Sequence, residues 1–197
     1  MNTDILIIGA GTWGCSIAFE LARQGNVGIS VLDGSSFPSL ISAGSDLNKI
    51  AEDANEPSQD DADDDFFWRR VHQIAMKAWH SDPLFSPFYH STGFIDAAVS
   101  DGAYQRCVDY AQEEYAPLIL LTTREDFQKT MPDGVLQGDF SRWRGFWKQG
   151  GARWVFASGT MRAMHAEAVR LDVAFITGDT EGRAEALLYS EDAKAVL

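Results

Sequence analysis

Cysteine is scarce: the 197 residues hold two, Cys15 and Cys107. Neither a disulfide framework nor the CxxC and His/Cys spacings of a zinc site can be built from them, so both are expected to be small buried apolar residues. Basic residues are also few, 16 Lys+Arg against 29 Asp+Glu, and the formal net charge of -13 would repel a phosphate backbone. Nucleic acid and anionic membrane are therefore not expected partners. No apolar run approaches the ~20 residues of a membrane span, and Met1-Asn2-Thr3-Asp4 lacks the basic region of a secretory signal. The expectation is a soluble intracellular protein. At 45% hydrophobic and 12% aromatic, the chain has material for one globular domain or two small ones.

The strongest pattern lies at the start. Asp4-Ile5-Leu6-Ile7-Ile8 reads as a strand buried on both faces, and Thr12 to Arg23 as a helix with Ile17, Ala18, Leu21 and Ala22 at packing spacing and Gly25 placed to end it. Ile29 to Leu32 reads as a second strand ending at Asp33, which completes a βαβ unit. Between strand and helix, Gly9-Ala10-Gly11-Thr12-Trp13-Gly14 matches G-x-G-x-x-G. Gly9 permits the tight turn, Gly11 lets a pyrophosphate approach the backbone, and Gly14 lets helix and sheet pack closely. The helix start supplies N–H groups and a positive dipole end. Asp33 stands where a carboxylate accepts hydrogen bonds from an adenosine ribose. Dinucleotide binding is the expectation; the fingerprint alone does not choose FAD over NAD.

Further along, residues 52–65 are acidic and read as a solvated loop, without the glycine and closing glutamate of an EF-hand. A helix follows with Phe67, Val71, Ile74 and Ala78 on one apolar stripe and with His72 and His80 off it, stopping before Pro83. Gly93 to Val99 and Leu118 to Leu121 are expected strands, and Tyr104 to Tyr115 a helix with Tyr104, Cys107, Val108 and Ala111 on one face. Thr122 with Glu125 is expected to box-cap a short helix. Beyond a Trp- and Gly-rich stretch from Trp143 to Trp154, Ser158 is expected to cap a helix whose Met161 and Met164 fill core. Val173 to Ile176 is a further strand. Ala184 to Tyr189 and Lys194 to Leu197 read as a hairpin that stops in its second strand, which suggests a truncated, cleaved or split protein.

Leu6 through Asp33, together with the segment Pro38 to Lys49 that contains Ser42-Ala43-Gly44-Ser45-Asp46-Leu47-Asn48-Lys49, resembles the fructosyl amino acid oxidases, or amadoriases, of the D-amino acid oxidase and sarcosine oxidase group. The likeness continues in Asp82 to Phe85, Tyr89 to Gly93, Gly134 to Phe140 and Phe175 to Gly178. It implies an α/β chain with a glutathione-reductase-like FAD-binding Rossmann fold over 1–85 and 150–197, and part of an antiparallel-sheet substrate domain over 86–149. It implies FAD held by Gly9, Gly11, Thr12, Trp13, Gly14, Asp33, Ser42, Ala43, Asp46, Asn48 and Lys49. The reaction implied is dehydrogenation of the secondary amine of a fructosyl amino acid or peptide, with hydride passing to the flavin, hydrolysis of the imine, and molecular oxygen reduced to hydrogen peroxide. The equivalent of Lys49 serves that oxygen chemistry, and a fixed cation on such a loop would stabilise the developing negative charge.

The departures are as informative. Relatives attach FAD through a cysteine in their C-terminal half, which also supplies most substrate contacts; neither Cys15 nor Cys107 matches it. The C-terminal portion is thus an expected partner. Ser45 stands where Asn is usual, and the aspartate-rich stretch replaces a loop near the substrate mouth. A cytoplasmic or peroxisomal location is expected. Another amine oxidase of the group, acting on sarcosine, pipecolate or saccharopine, an inactive isolated fragment, and an NAD-dependent dehydrogenase are the alternatives.

Overall fold

A computed structural model describes residues 4–52, 62–112, 118–149 and 152–186. Its elements in chain order are β1 (Ile5–Ile8), α1 (Thr12–Arg23), β2 (Ile29–Asp33), β3 (Lys49–Glu52), α2 (Asp63–Ser81), β4 (Tyr89–Ser91), β5 (Phe94–Ala98), α3 (Asp101–Gln112), β6 (Leu118–Leu121), α4 (Arg124–Gln128), β7 (Arg144–Lys148), β8 (Ala152–Val155), α5 (Ala157–Arg170) and β9 (Ala174–Thr177). They divide into two compact units, one of Met1–Lys49, Asp82–Phe88 and Phe156–Leu197, the other of Ile50–Ser81 and Tyr89–Val155. Helix α2 thus belongs to the second unit, although it falls inside the 1–85 span expected for the first.

The first unit is a parallel sheet in the order β1-β2-β9, with Ile5 opposite Ile29, Ile8 opposite Leu32 and Asp33 opposite Thr177. Helix α1 presents Gly14, Cys15, Ala18, Phe19 and Ala22 inward, all small but Phe19, which lets it lie close to the strands. They share a core with Ile29, Val31, Met161, Met164, Ala168 and Val173. Full burial of Val31 contributes ~1.5–3 kcal/mol. As expected, Gly25 ends α1: at φ +87 its N–H donates to the Ala22 carbonyl at 2.9 Å.

In the second unit β4 pairs antiparallel with β8, and β7 pairs antiparallel with β5 and β6. Strands β5, β7 and β6 form one sheet with β7 central, Phe94 and Leu118 both meeting Lys148. A second sheet has the order β3-β8-β4, with Tyr89 opposite Val155. Helix α3 closes over the first of these through Cys107, which packs with Ala98 and Phe146.

Several local expectations change. The Trp-rich stretch, read without regular structure, is two strands, β7 and β8. Asp63, Asp64 and Asp65 are the first turn of α2 and not loop, because carboxylates are favoured at the positive end of a helix; residues 53–61 lie outside the described residues. The stripe Phe67, Val71 and Ile74 is exposed, and Met76 is the buried residue of α2. His72 and His80 are exposed as expected. The capping box is one residue on: the Thr123 hydroxyl accepts from Asp126 N–H at 3.2 Å, and the Asp126 carboxylate accepts from the N–H groups of Thr122 and Thr123. Those bonds hold the Asp126 carboxyl down at about 2. Ser158 does not cap α5, whose N-cap is Phe156. Helix α3 starts at Asp101, and its expected end at 113–115 lies outside the described residues; of the expected terminal hairpin, 184–186 are described and form no strand, and the rest lies outside. Among the described residues, no helix is long and apolar enough to cross a membrane.

Candidate functional site

The polypeptide leaves β1 through Gly9 at φ +102, a value that side chains rarely adopt, and Gly9 N–H donates to the Leu32 carbonyl at 2.7 Å. Helix α1 then begins with Gly11 as its N-cap, in extended backbone and without a side-chain cap. Its first N–H groups therefore lack a capping side chain, and they mark the positive end of the dipole. A Cβ on Gly14 would lie 1.8 Å from the Gly9 carbonyl oxygen, whereas a Cβ on Gly11 would meet nothing within 4 Å. Gly14 is thus needed for packing, and Gly11 leaves an open cradle over the helix start. Backbone donors beside open space are the chemistry a pyrophosphate requires, so these residues fit the group.

Asp33, half-buried at the end of β2, accepts hydrogen bonds from Ala10 N–H at 2.7 Å and from Ser35 N–H at 2.8 Å, one on each carboxylate oxygen. It therefore ties the glycine turn to β2. A carboxylate has about four lone-pair sites, so each oxygen keeps one for a diol. The Asp33 carbonyl accepts from Gly178 N–H at 2.9 Å, which anchors the turn after β9 at the same strand end.

The Ser42–Lys49 segment is brought against this turn. Ala43–Ser45 is a single 3-10 turn, and a Cβ on its buried Gly44 would meet Thr12 Oγ1 at 2.8 Å and Met161 Cγ at 3.0 Å. On the far side, Ser158 N–H donates to the Asp46 carbonyl at 3.0 Å. Ser45 directs its hydroxyl at the Ser42 and Leu40 carbonyls, so the loop closes on itself. Ser42 is half-buried; Thr12, Ala43, Asp46, Asn48 and Lys49 are exposed, and Trp13 is 79% exposed. The Lys49 ammonium pairs with the Asp46 carboxylate.

Ala10, Gly44, Ser158 and Met161 are contributors that sequence reasoning did not single out for the site. Ala10 and Ser158 act through backbone N–H groups, which leave no signal in residue type. Met161 and Met164 are buried as expected, and Met161 also backs Gly44. The glycine at 44 was visible, inside the resemblance, but its reason is a contact only the fold reveals.

Neither cysteine is placed to react. Cys15, fully buried, donates to the Ala10 carbonyl at 3.2 Å, and burial, with the negative charge of Asp33, pushes its thiol up to about 12. Burial and the hydrogen bond to Asp96 raise Cys107. His165 packs against the rings of Phe37 and Phe175, at 4.3 and 4.2 Å, and burial lowers its pKa. Among the described residues, no group of three or more His, Cys, Asp or Glu could hold a metal ion.

A parallel βαβ unit with an open glycine turn and a strand-end carboxylate defines a dinucleotide-binding α/β protein. Residues 4–192 match the family described as FAD dependent oxidoreductase, and the chain belongs to that family. No curated protein matches it. Among solved structures, it is similar to fructosyl amine:oxygen oxidoreductase (amadoriase I) of Aspergillus fumigatus, with 38% identity and a TM-score of 0.83 over 96% of this chain and 43% of the other. The fructosamine oxidase amadoriase II of the same organism, described as a deglycating enzyme, matches at 38% identity and a TM-score of 0.82 over 100% of this chain and 45% of its own. A modified fructosyl peptide oxidase from Aspergillus nidulans matches at 27% identity and a TM-score of 0.76. The chain spans less than half the length of these relatives.

Proposed function

We propose that this chain is the flavin-binding N-terminal portion of an oxidase that deglycates fructosyl amino acids or peptides, acting with the C-terminal portion that its relatives carry. The observation that carries the reading is the 38% identity to two fructosyl amine oxidases, whose matched spans take in 96% and 100% of this chain. FAD, were it bound, would supply the two-electron acceptor for oxidation of the substrate's secondary amine to an imine, with oxygen as the final acceptor giving hydrogen peroxide and water hydrolysing the imine to amino acid and glucosone.

In this reading Gly9, Gly11, Thr12, Trp13 and Gly14 hold the pyrophosphate at the start of α1, and Asp33 accepts hydrogen bonds from the adenosine ribose. Ser42, Ala43, Asp46 and Asn48 would help to hold the flavin. Lys49 supplies the cation. Both members of the Lys49–Asp46 pair are about half exposed, and such a pair is worth ~0–1 kcal/mol, so the ammonium can leave Asp46 for negative charge developing on oxygen. The parallel unit supports a glutathione-reductase-like flavin domain, and the antiparallel unit part of a substrate domain.

The test is peroxide production from fructosyl-valine, sarcosine and pipecolate by this chain, alone and joined to the C-terminal portion of Aspergillus fumigatus amadoriase I. Turnover of fructosyl-valine on the order of 1 per second, by the joined protein only, is expected. Turnover of sarcosine or pipecolate alone would overturn the substrate assignment, and comparable turnover by the chain alone would overturn the need for a C-terminal portion.

A further inference from the structure

At the end of β2 the first unit is crossed by a tight turn that follows β9. Gly178, at φ +112, donates its N–H to the Asp33 carbonyl at 2.9 Å and to the Ser35 carbonyl at 3.2 Å, and Gly182 N–H closes the turn on the Gly178 carbonyl at 2.9 Å. Gly182 is buried where no side chain fits: a Cβ there would lie 2.2 Å from the Asp33 carbonyl oxygen and 2.5 Å from that of Ile176. This close crossing sets the next residue, Arg183, beside the backbone just beyond Asp33. A Cβ on Gly34 would touch Arg183 Cα, Cβ and Cγ at 3.6, 3.4 and 3.5 Å, so the foot of the arginine is fixed by packing. Its far end is not. The side chain is 63% exposed, and its guanidinium pairs at 2.8 Å with Asp179, itself 82% exposed, an ion pair too weak to hold it in one place. The Asp33 carboxylate meanwhile accepts from the N–H groups of Ala10 and Ser35.

We propose that Arg183 is a further cofactor-binding residue, whose guanidinium stacks on the adenine of FAD. The inference rests on the flavin reading above and follows the order of the cofactor's parts. That reading gives the pyrophosphate to the turn Gly9–Gly14 and the adenosine ribose to Asp33. Adenine is joined to that ribose on the side away from the phosphates, and Gly34 and Arg183 are the residues that lie beyond Asp33 at the strand end. Gly34 brings no side chain of its own. A guanidinium is planar, permanently charged and weakly hydrated, so it stacks on an aromatic face at less desolvation cost than an ammonium. A nucleobase is uncharged and gains most from a flat partner.

The chain is joined to the C-terminal portion of Aspergillus fumigatus amadoriase I, with that portion's flavin-linking cysteine replaced by serine so that binding stays reversible, and FAD is titrated into the flavin-free protein by fluorescence. Arg183→Met and Arg183→Lys keep a stem to pack on Gly34, and only the lysine keeps the charge; Arg183→Phe keeps a flat face without charge. Arg170→Met, in the last turn of α5, removes the same charge elsewhere. FAD affinity is expected to fall about 5- to 30-fold in Arg183→Met and at least about 5-fold in Arg183→Lys, by less than about 3-fold in Arg183→Phe, and not in Arg170→Met. Native affinity in both Arg183→Met and Arg183→Lys would overturn the proposal, leaving the stem as the residue's only role. Native affinity in Arg183→Lys with loss in Arg183→Phe would also overturn it, giving Arg183 to a phosphate instead of the base. If Arg183→Phe loses its native melt, salt decides: stacking keeps the ratio of the native and Arg183→Met dissociation constants the same at about 50 mM and about 500 mM salt, and a ratio that closes toward one refutes it. No FAD binding by the native joined protein would overturn the flavin reading itself, a result seen before any substitution is made.

Discussion

Two glycines three residues apart predict opposite outcomes for the same substitution. In Gly14→Ala the new methyl would start 1.8 Å from the Gly9 carbonyl oxygen and must move to at least about 3.4 Å, an ordinary van der Waals separation. Helix α1 has no slack to give, because Cys15, Ala18, Phe19 and Ala22 are all packed. The cost is at the upper end of overpacking, about 3 kcal/mol, which for a chain this size lowers the melting temperature by about 6–12 °C. In Gly11→Ala the backbone, at φ −76 and ψ −171, suits alanine, and the methyl meets nothing within 4 Å. Stability should hold or rise by ~0.4–1 kcal/mol. If a pyrophosphate lies in that open space, however, the methyl displaces it, at ~1–3 kcal/mol or roughly 5- to 150-fold in FAD affinity. Circular dichroism melts of the chain read the first effect, and flavin fluorescence titration of the enzyme joined to a C-terminal portion reads the second. Native FAD affinity in Gly11→Ala would refute the pyrophosphate placement, and a native melt in Gly14→Ala would refute the packing argument.

Other groups predict as definitely. With its thiol pushed up to about 12, Cys15 is ionised in about 1 molecule in 10,000 at pH 8, so it should resist thiol reagents until the chain is denatured; rapid native labelling at Cys15 refutes its burial. His165 is held below its ordinary value of 6.5 by burial, so in acid the unfolded chain gains a proton first. Its contribution to stability is full above about pH 6.5 and declines as pH falls from there to the lowered folded value. Urea midpoints at about pH 7.5 and about pH 5.5 should therefore differ less in His165→Phe than in the native chain, and an equal difference refutes the assignment. In the joined enzyme Lys49→Met should slow reoxidation of reduced flavin ~100- to 1000-fold while changing anaerobic reduction much less; stopped-flow absorbance separates the two, and equal slowing of both makes Lys49 a positioning residue.

How far the sequence could be read depended on whether the determining interaction was local. The turn from Ile8 to Gly14 was legible because each glycine answers a nearby backbone demand, and β2 ended at Asp33 as its composition suggested. Ser158 was misread as a cap. Its N–H is taken by the Asp46 carbonyl, from a loop far away in sequence, and helix α5 starts at Ala157 with no side-chain cap. The tandem Thr122-Thr123 offered two registers for one box, and Asp126 took the second because it accepts from both threonine N–H groups. Strands β7 and β8 were missed since Trp and Gly mark loops as readily as close-packed strands.

Helix α2 shows a different limit. The spacing of Phe67, Val71 and Ile74 is that of a packing face, yet these side chains are exposed and Met76 alone is buried among the helix's described residues. Periodicity records what a face is built to meet, not whether that partner belongs to the same stretch of chain. The same holds for β1, whose continuous apolar run predicted burial on both sides, while Leu6 and Ile8 are uncovered on one. Two elements, one in each unit, thus carry apolar surface in excess of what the described residues cover. The sequence reading was right about the apolar chemistry of those residues, and their exposure shows that spacing alone does not say where the covering surface lies.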